Sequence, residues 1–230
     1  MRTRYRRRGR RTNRGMLILL LLLTAVFLVS CVAGSNPLWV RSVFGLDIMN
    51  YESEPTTKAL ASNGELAGSL CNMVEILLAG NLELTTFHST AQVVRYYRDA
   101  ILNYMLCENY ALYVGNSALV EAARESYPHM QLCTLIPDAD FENTVYRYFG
   151  GTAVSHGSGE VFSYLSRAHA YTAPLQPRES LLEIAPLRVE ETAHTYRLVF
   201  TLSDGVQTSR AYTAVFVRRD DGSFYLYSLA

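Results

Sequence analysis

Residues 196–229, YRLVFTLSDGVQTSRAYTAVFVRRDDGSFYLYSL, carry the pattern that decides the fold. Apolar side chains recur at every second position along runs that begin near Tyr196, Tyr212 and Phe224. The sequences Asp204-Gly205 and Asp221-Gly222 separate these runs, and Asp-Gly between runs of period two is typical of β-hairpin turns. The pattern therefore predicts an antiparallel meander, and we expect a preceding strand over residues 187–192.

The chain before the meander shows helical spacing instead of alternation. Helices are predicted from Lys58 to about Gly80, from Ser89 or Thr90 to about Tyr113, from Ser117 to about Ser126, and from a start within residues 136–140 to a stop at Gly150-Gly151. Residues 161–165 and 170–172 fit either short strands or a returning loop. Helices followed by an antiparallel meander predict an α+β fold, with N-terminal helices (about 58–150) packed on a C-terminal sheet (about 183–230).

A basic and then apolar leader precedes this domain. Residues 1–14 contain eight arginines and no acidic residue, and the apolar run Met16–Ser30 ends at Cys31. Basic segments before an apolar run stay in the cytoplasm, so the chain after Cys31 is predicted to be translocated. The run forms about 22 Å of helix, which is short for a membrane span and typical of a signal peptide. Extended to Ala33, it reaches the lower limit for a span.

The end of the apolar run indicates how the chain is anchored. Leu28, Val29, Ser30 and Cys31 resemble the lipobox of bacterial lipoproteins at all four positions. The resemblance implies that the Cys31 thiol becomes a diacylglyceryl thioether and that cleavage makes Cys31 the new N-terminus. Two acyl chains hold a protein stably at a membrane. The alternatives are an uncleaved single-pass helix over 16–33, with Cys31 as an ordinary apolar residue, and a plain secretory signal peptide.

The predicted organisation has three parts: a leader over 1–31, a flexible tether over 32–57 and an extracytoplasmic domain over 58–230. The formal net charge of zero hides an asymmetry between them. Eight of the 21 lysines and arginines lie in the leader, which leaves 13 against all 21 aspartates and glutamates. The part after Cys31 is therefore negatively charged, which argues against a nucleic-acid partner.

Three cysteines follow Cys31, at positions 71, 107 and 133. An odd and sparse set is not a disulfide framework, and no two of them have the close spacing of a zinc or redox site. The sequence leaves open a bridge between Cys71 and Cys107 or three buried thiols.

No catalytic, metal or cofactor motif stands out in the sequence. None of the histidines shows the spacing of a metal-binding helix, and no G-x-S-x-G elbow is present. His156, in a glycine-containing turn after a helix, is the one candidate for a ligand contact. Asp138 and Asp140 open a helix, where the helix dipole favours acids, so we expect them to be capping residues.

Residues 137–230 also resemble a module of Firmicute lipoproteins and surface proteins. The resemblance rests on Phe141, Val145-Tyr146-Arg147-Tyr148-Phe149-Gly150, His156, Phe162-Ser163-Tyr164, Tyr171 and the closing meander. It implies a helix, a turn with histidine and a sheet of three or four strands, and it carries no catalytic residue. The sequence departs from the module at Gly150-Gly151-Thr152 and in a proline-containing insertion between Tyr171 and Leu181.

Three hypotheses about function follow from the sequence. The first is a non-enzymatic lipoprotein on the outer face of the cell membrane that binds a protein or polymer of the cell envelope. The second is an uncleaved single-pass component of an envelope assembly or signalling complex, whose arginine-rich tail contacts cytoplasmic partners or anionic lipid. The third is an envelope hydrolase whose site the sequence does not reveal.

Overall fold

The computed structural model describes residues 51–78, 82–130, 132, 134–151, 154–173 and 180–230. In chain order they form a 3-10 helix (Tyr51–Ser53), β1 (Lys58–Leu60), α1 (Glu65–Glu75), α2 (Thr90–Glu108), α3 (Tyr110–Tyr113), α4 (Ser117–Ser126), β2 (Ile136–Pro137), α5 (Asp138–Phe149), β3 (Ser163–Leu165), β4 (Ala170–Thr172), β5 (Glu183–Glu191), β6 (Thr195–Ser203), β7 (Tyr212–Arg218) and β8 (Phe224–Leu229). The predicted α+β fold is confirmed.

The larger sheet is antiparallel with the strand order β1-β5-β6-β7-β8, and its last four strands are the predicted meander. Leu198, Phe200 and Leu202 of β6 are fully buried, as their alternation predicts. Gly205 and Gly222 adopt φ angles of 85° and 83°, which glycine tolerates without steric cost, so both Asp-Gly turns are confirmed. Strand β5 begins at Glu183, four residues before the predicted start.

The longest helix, α2, begins at a predicted cap. The Ser89 hydroxyl accepts a hydrogen bond from the Gln92 N–H at 3.4 Å. The helix was expected to reach about Tyr113, but it ends at Glu108, and the four residues of α3 form a separate turn. Its buried face comprises Val93, Val94, Tyr97, Ala100, Ile101, Leu102, Met105 and Leu106.

Residues 51–60 differ from the expectation. Lys58–Leu60 does not begin a helix but pairs with β5 as the edge strand β1, because strand pairing overrides local helix propensity. Residues 51–57, which the sequence assigns to the tether, lie on the domain. Tyr51 is buried, and the Thr57 N–H donates to the Glu191 carbonyl at 2.8 Å. The compact unit that contains both sheets comprises Tyr51–Ala230.

A smaller antiparallel sheet has the order β2-β4-β3 and lies next to α5 in the chain. Of the two segments that fitted either strands or a loop, 170–172 is a strand throughout, and 161–165 is a strand from Ser163 onward. Helix α4 packs on this sheet through a small core of its own, formed by Ala123, Leu135, Leu165 and Ala170. The main core joins α1, α2 and α5 to the larger sheet.

Cys71 and Cys107 are both thiols, so the bridge that the sequence left open does not form. Burial raises the pKa of the Cys71 thiol, and the nearby Glu75 raises it further. Cys133, the stop signal at Gly80-Asn81 and the whole leader, with Leu28, Val29, Ser30 and Cys31, lie outside the described residues. Within the described part, none of the helices combines the length and the apolar character needed to cross a membrane.

Candidate functional site

Polar and aromatic side chains meet where the first turns of α5 approach the smaller sheet. Helix α5 contributes Asp138 and, one turn later, Glu142. His156 comes from the loop after α5, Tyr164 from β3 and Tyr171 from β4. We call these five residues the tyrosine–histidine cluster.

His156 lies at the centre of the cluster. Its Nε2 atom is 2.8 Å from Oε1 of Glu142, and its Nδ1 atom is 2.9 Å from the Tyr171 hydroxyl. Because an ionised carboxylate only accepts, we assign the proton to Nε2, which then donates to Glu142. The Tyr171 oxygen receives a hydrogen bond from the backbone of Gly157, so its own proton is free to bind Nδ1. The imidazole also stacks on Tyr164, with the ring centroids 5.1 Å apart.

Asp138 organises the other half of the cluster. Its Oδ2 atom accepts a hydrogen bond from the Tyr164 hydroxyl at 2.9 Å and lies 3.1 Å from Nδ1 of His169. The Asp138 N–H donates to the His169 carbonyl at 2.9 Å. These contacts hold His169 in a left-handed conformation with a φ angle of 48°, which is uncommon for a residue other than glycine.

The two aspartates of α5 do not form the expected cap. Both lie in the first turn, where the helix dipole favours them. The N-cap residue is Pro137, which has no side-chain oxygen to accept a hydrogen bond. Asp138 is bound by Tyr164, and Asp140 accepts a hydrogen bond from the Tyr113 hydroxyl at 3.2 Å. The prediction of capping was wrong because these tyrosines come from distant parts of the chain.

The tyrosines around α5 remain protonated at neutral pH. Burial raises the pKa of Tyr171 to about 12. Burial raises the pKa of Tyr113 to about 12 as well, with a further contribution from Asp140. Burial and the hydrogen bond to Asp138 raise the pKa of Tyr164. Their hydroxyl groups therefore act as hydrogen-bond donors.

The order Tyr171, His156, Glu142 has the form of a nucleophile, a base and an orienting carboxylate. The environment of Tyr171 argues against that chemistry, since its side chain is fully buried and its hydroxyl stays neutral. His156 is 17% exposed, and both ring nitrogens contact residues of the protein itself. The contacts of the cluster therefore fix the loop that carries His156 to α5 and β4.

A second set of contacts fixes the same loop to α2. The Arg98 guanidinium donates to the carbonyls of Ser155 and Ser158 at 3.0 and 3.3 Å. The Asp99 carboxylate accepts hydrogen bonds from three successive N–H groups, of residues 160–162, at 2.6, 2.9 and 3.3 Å. We call these contacts the clasp.

The clasp requires glycine at position 159. A Cβ atom there would lie 2.1 Å from Oδ1 of Asp99. The carboxylate can approach the loop backbone this closely because Gly159 has no side chain.

A cleft of about 450 Å³ opens between α2, residues 83–85 and residues 158–161 of the clasped loop. Its lining includes Glu83, Arg95, Tyr96, Glu160 and Val161, all of which are exposed. The Arg95 guanidinium lies 5.8 Å from the centroid of the Tyr96 ring. The clasp fixes the wall of the cleft that residues 158–161 form. The cleft is the candidate binding site of the domain.

The sequence pointed to His156 but not to the residues of the clasp or the cleft. The loop half-buries Arg98 and Asp99 of α2. The available signal is an Arg-Asp pair on one helix and a Gly-Ser-Gly loop about sixty residues later. A single sequence does not reveal that the two segments are in contact. Among the described residues, no group of three or more His, Cys, Asp or Glu side chains is arranged to hold a metal ion.

Comparison with known proteins gives no relative from which a role could be transferred. No protein-family model, no curated protein and no solved structure matches the chain. The function is therefore argued from the leader, the charge and the geometry of the domain.

Proposed function

We propose that the chain is a membrane-anchored extracytoplasmic lipoprotein whose α+β domain binds a component of the cell envelope. The observation that carries the proposal is the leader, in which eight arginines precede an apolar run that ends in a lipobox-like sequence at Cys31. The compact unit that contains the domain begins at Tyr51, 20 residues after Cys31. A diacylated Cys31 would hold the domain close to the outer face of the membrane.

The domain offers chemistry for binding. The cleft presents an aromatic ring, a guanidinium and two carboxylates, from Tyr96, Arg95, Glu83 and Glu160. Tyrosine supplies apolar contact area together with a hydroxyl, and this combination suits glycans and peptides. The tyrosine–histidine cluster, by contrast, satisfies its own polar groups. These features favour a binding role for the domain.

The anchor is tested by mass spectrometry of the mature N-terminus after expression of the full chain in a bacterial host. We expect a diacylated Cys31 as the first residue. Cys31→Ala should remain unprocessed and unlabelled by a fatty-acid analogue, whereas Cys107→Ala, the matched thiol variant in the domain, should be labelled like the wild type. An intact Met1 on the wild-type protein would contradict the lipoprotein and favour the single-pass protein over 16–33.

The binding role is tested by sedimentation of the detergent-solubilised full chain with purified cell-wall sacculi. We expect Tyr96→Ala in the cleft to lower the sedimented fraction several-fold. Tyr110→Ala, at a similarly exposed position on α3, should leave that fraction unchanged. Equal sedimentation of the two variants would remove the cleft from the binding surface, and failure of the wild type to sediment would rule out the wall polymer as the partner.

A further inference from the structure

Residues 51–57 bind the domain almost entirely through polar contacts. We call this segment the strap. Both the N–H and the hydroxyl of Thr57 donate to the Glu191 carbonyl, at 2.8 and 2.9 Å. The Thr56 hydroxyl donates to Oε2 of Glu190 at 3.0 Å. The apolar part of the attachment is Tyr51, whose ring meets the Tyr227 ring edge-on at 5.1 Å.

Two glutamates of the strap each bind a histidine of the domain. Oε1 of Glu52 lies 2.7 Å from Nδ1 of His88, just before α2. Oε1 of Glu54 lies 2.7 Å from Nδ1 of His194, in the turn between β5 and β6. Glu54 also accepts hydrogen bonds from the Thr192 hydroxyl at 2.6 Å and from the His194 N–H at 3.2 Å. The two carboxylates therefore connect the strap to two separate parts of the domain.

Arg197 of β6 binds the backbone of the strap between these two pairs. Its Nη2 atom donates to the carbonyls of Tyr51, Glu52 and Glu54 at 3.2, 2.8 and 2.6 Å. The guanidinium also places a positive charge near the Glu52 carboxylate, which lowers the pKa of that carboxyl. Because most of these contacts involve ionisable groups, the attachment of the strap should depend on pH, whereas the packing of the apolar core should not.

We propose that the strap is an acid-sensitive attachment, which holds the domain end of the tether while Glu52 and Glu54 are ionised and releases it when both are protonated. A protonated carboxyl has lost the charge that attracts the imidazole and the guanidinium. It also accepts fewer hydrogen bonds from the groups around it. The pairing of β1 with β5 involves backbone groups and does not depend on these carboxylates.

The direction of the pH dependence follows from the groups that face each carboxylate. Partial burial raises the pKa of Glu52, but His88, Ser228 and Arg197 outweigh this effect, so the pKa lies below its ordinary value of 4.5. Burial likewise raises the pKa of Glu54, and Thr192 and His194 outweigh it.

Among the other charged groups near the strap, the Glu190 carboxylate contacts Thr56, and two arginines face Glu190 and Glu191. Arg218 binds Glu191 at 2.8 Å and the carbonyls of Thr192 and Ala193, and Arg188 lies 3.1 Å from Glu190.

A group whose pKa is lowered in the folded state contributes stability above its unfolded pKa and loses it as the pH falls through the folded value. The attachment is therefore complete above the ordinary glutamate pKa of 4.5 and is lost as the pH falls through the lowered pKa values of Glu52 and Glu54.

Release of the strap would change how far the domain extends from the membrane. Residues 51–57 would join the predicted tether and add up to about 24 Å of extended chain. This consequence rests on the proposed anchoring at Cys31, whereas the acid-sensitive attachment itself does not.

The test is hydrogen–deuterium exchange of the full chain in detergent, read by mass spectrometry on peptides covering 51–57. Glu52→Gln/Glu54→Gln imitates the protonated carboxyls. At pH 7 we expect exchange in the strap of this variant to be about tenfold faster than in the wild type, because hydrogen bonds to two charged groups are lost. The ratio of variant to wild-type rates should fall to one when the pH is lowered through the pKa values of the two glutamates.

Glu121→Gln, at an exposed position on α4, is the matched control and should exchange like the wild type at every pH. Strand β6 should be equally protected in all three proteins, which shows that the variant is folded. Unchanged exchange of the strap in the double variant at pH 7 would overturn the proposal, and so would a rate ratio that does not vary with pH. Acylation of Cys31 does not enter this measurement, so failure of the strap is distinguishable from failure of the anchor.

Discussion

In the meander, Leu198 lies opposite Ala214 and Phe200 lies opposite Tyr212, and all four side chains are fully buried. In the tyrosine–histidine cluster, Tyr171 is just as buried, but its hydroxyl and both ring nitrogens of His156 have named hydrogen-bond partners. The meander is stabilised by the apolar area that it removes from water, and the cluster by the pairing of groups that would be costly to bury alone. The two regions should therefore respond differently to substitution.

The largest effect is expected in the meander. Phe216 of β7 is fully buried and meets Phe224 edge-on at 6.1 Å. Phe216→Ala removes a large apolar side chain and leaves a cavity, which costs about 3–5 kcal/mol of the free energy of unfolding. Urea-induced unfolding followed by circular dichroism measures this loss.

Val206→Ala is the control for this prediction, because Val206 is 90% exposed in the turn after β6. We expect this variant to stay within about 0.5 kcal/mol of the wild type. A loss below about 1 kcal/mol for Phe216→Ala would mean that apolar burial does not dominate the stability of the meander.

The architecture of the meander was predictable because one physical rule dominates it. Alternation along β6, and glycine after aspartate at 205 and 222, each point to the same strands and turns. The edge strand β1 was not predictable, because Lys58–Leu60 lies at the start of a helical pattern and becomes a strand by pairing with β5. The same holds for the strap, whose partners His88, His194 and Arg197 lie far along the chain.

An intermediate loss of the free energy of unfolding is expected for a substitution at the clasp, which holds the loop of His156 on α2. Gly159→Ala places a Cβ atom 2.1 Å from Oδ1 of Asp99, so the carboxylate must move and lose its hydrogen bonds to residues 160–162. Loss of these charge-assisted bonds should lower the free energy of unfolding by about 2 kcal/mol. Chemical denaturation measures the loss, and faster amide exchange over 160–162 locates it.

Gly157→Ala is the matched control in the same loop. Its Cβ atom would meet Arg98 at 3.4 Å, an ordinary contact, so we expect a change within about 0.5 kcal/mol. Equal destabilisation by the two alanines would show that the loop is sensitive to any side chain and that the clasp has no special role.

The contacts of the clasp and the cluster could not be predicted from the sequence, although their residues were visible. His156 stands out in the sequence because it lies in a glycine-containing turn, and Asp138 stands out because it opens a helix. Their partners, Tyr171 and Tyr164, become neighbours only when β3 and β4 fold back along α5. Hydrogen bonds between side chains distant in sequence leave no periodic pattern, whereas burial of alternate residues does.

A smaller loss of the free energy of unfolding is expected for a substitution within the tyrosine–histidine cluster. Tyr171→Phe keeps the ring but removes the hydroxyl, and Nδ1 of His156 then loses its partner at 2.9 Å. At pH 8 this should cost about 1 kcal/mol of the free energy of unfolding. Tyr110→Phe, at an exposed position on α3, is the matched control and should have no measurable effect.

The stability difference between the wild type and Tyr171→Phe should itself depend on pH. Burial raises the pKa of Tyr171 from 10.0 to about 12, so the folded state favours the neutral hydroxyl. The contribution of Tyr171 is therefore complete below pH 10 and is lost as the pH rises towards 12, by up to about 1.4 kcal/mol per pH unit. Urea unfolding at pH 8, 10 and 11 should show that the wild type has lost its advantage over Tyr171→Phe by pH 11. A constant advantage over Tyr171→Phe would mean that this hydroxyl is open to water, and the cluster would then lack the buried, paired character that separates it from the meander.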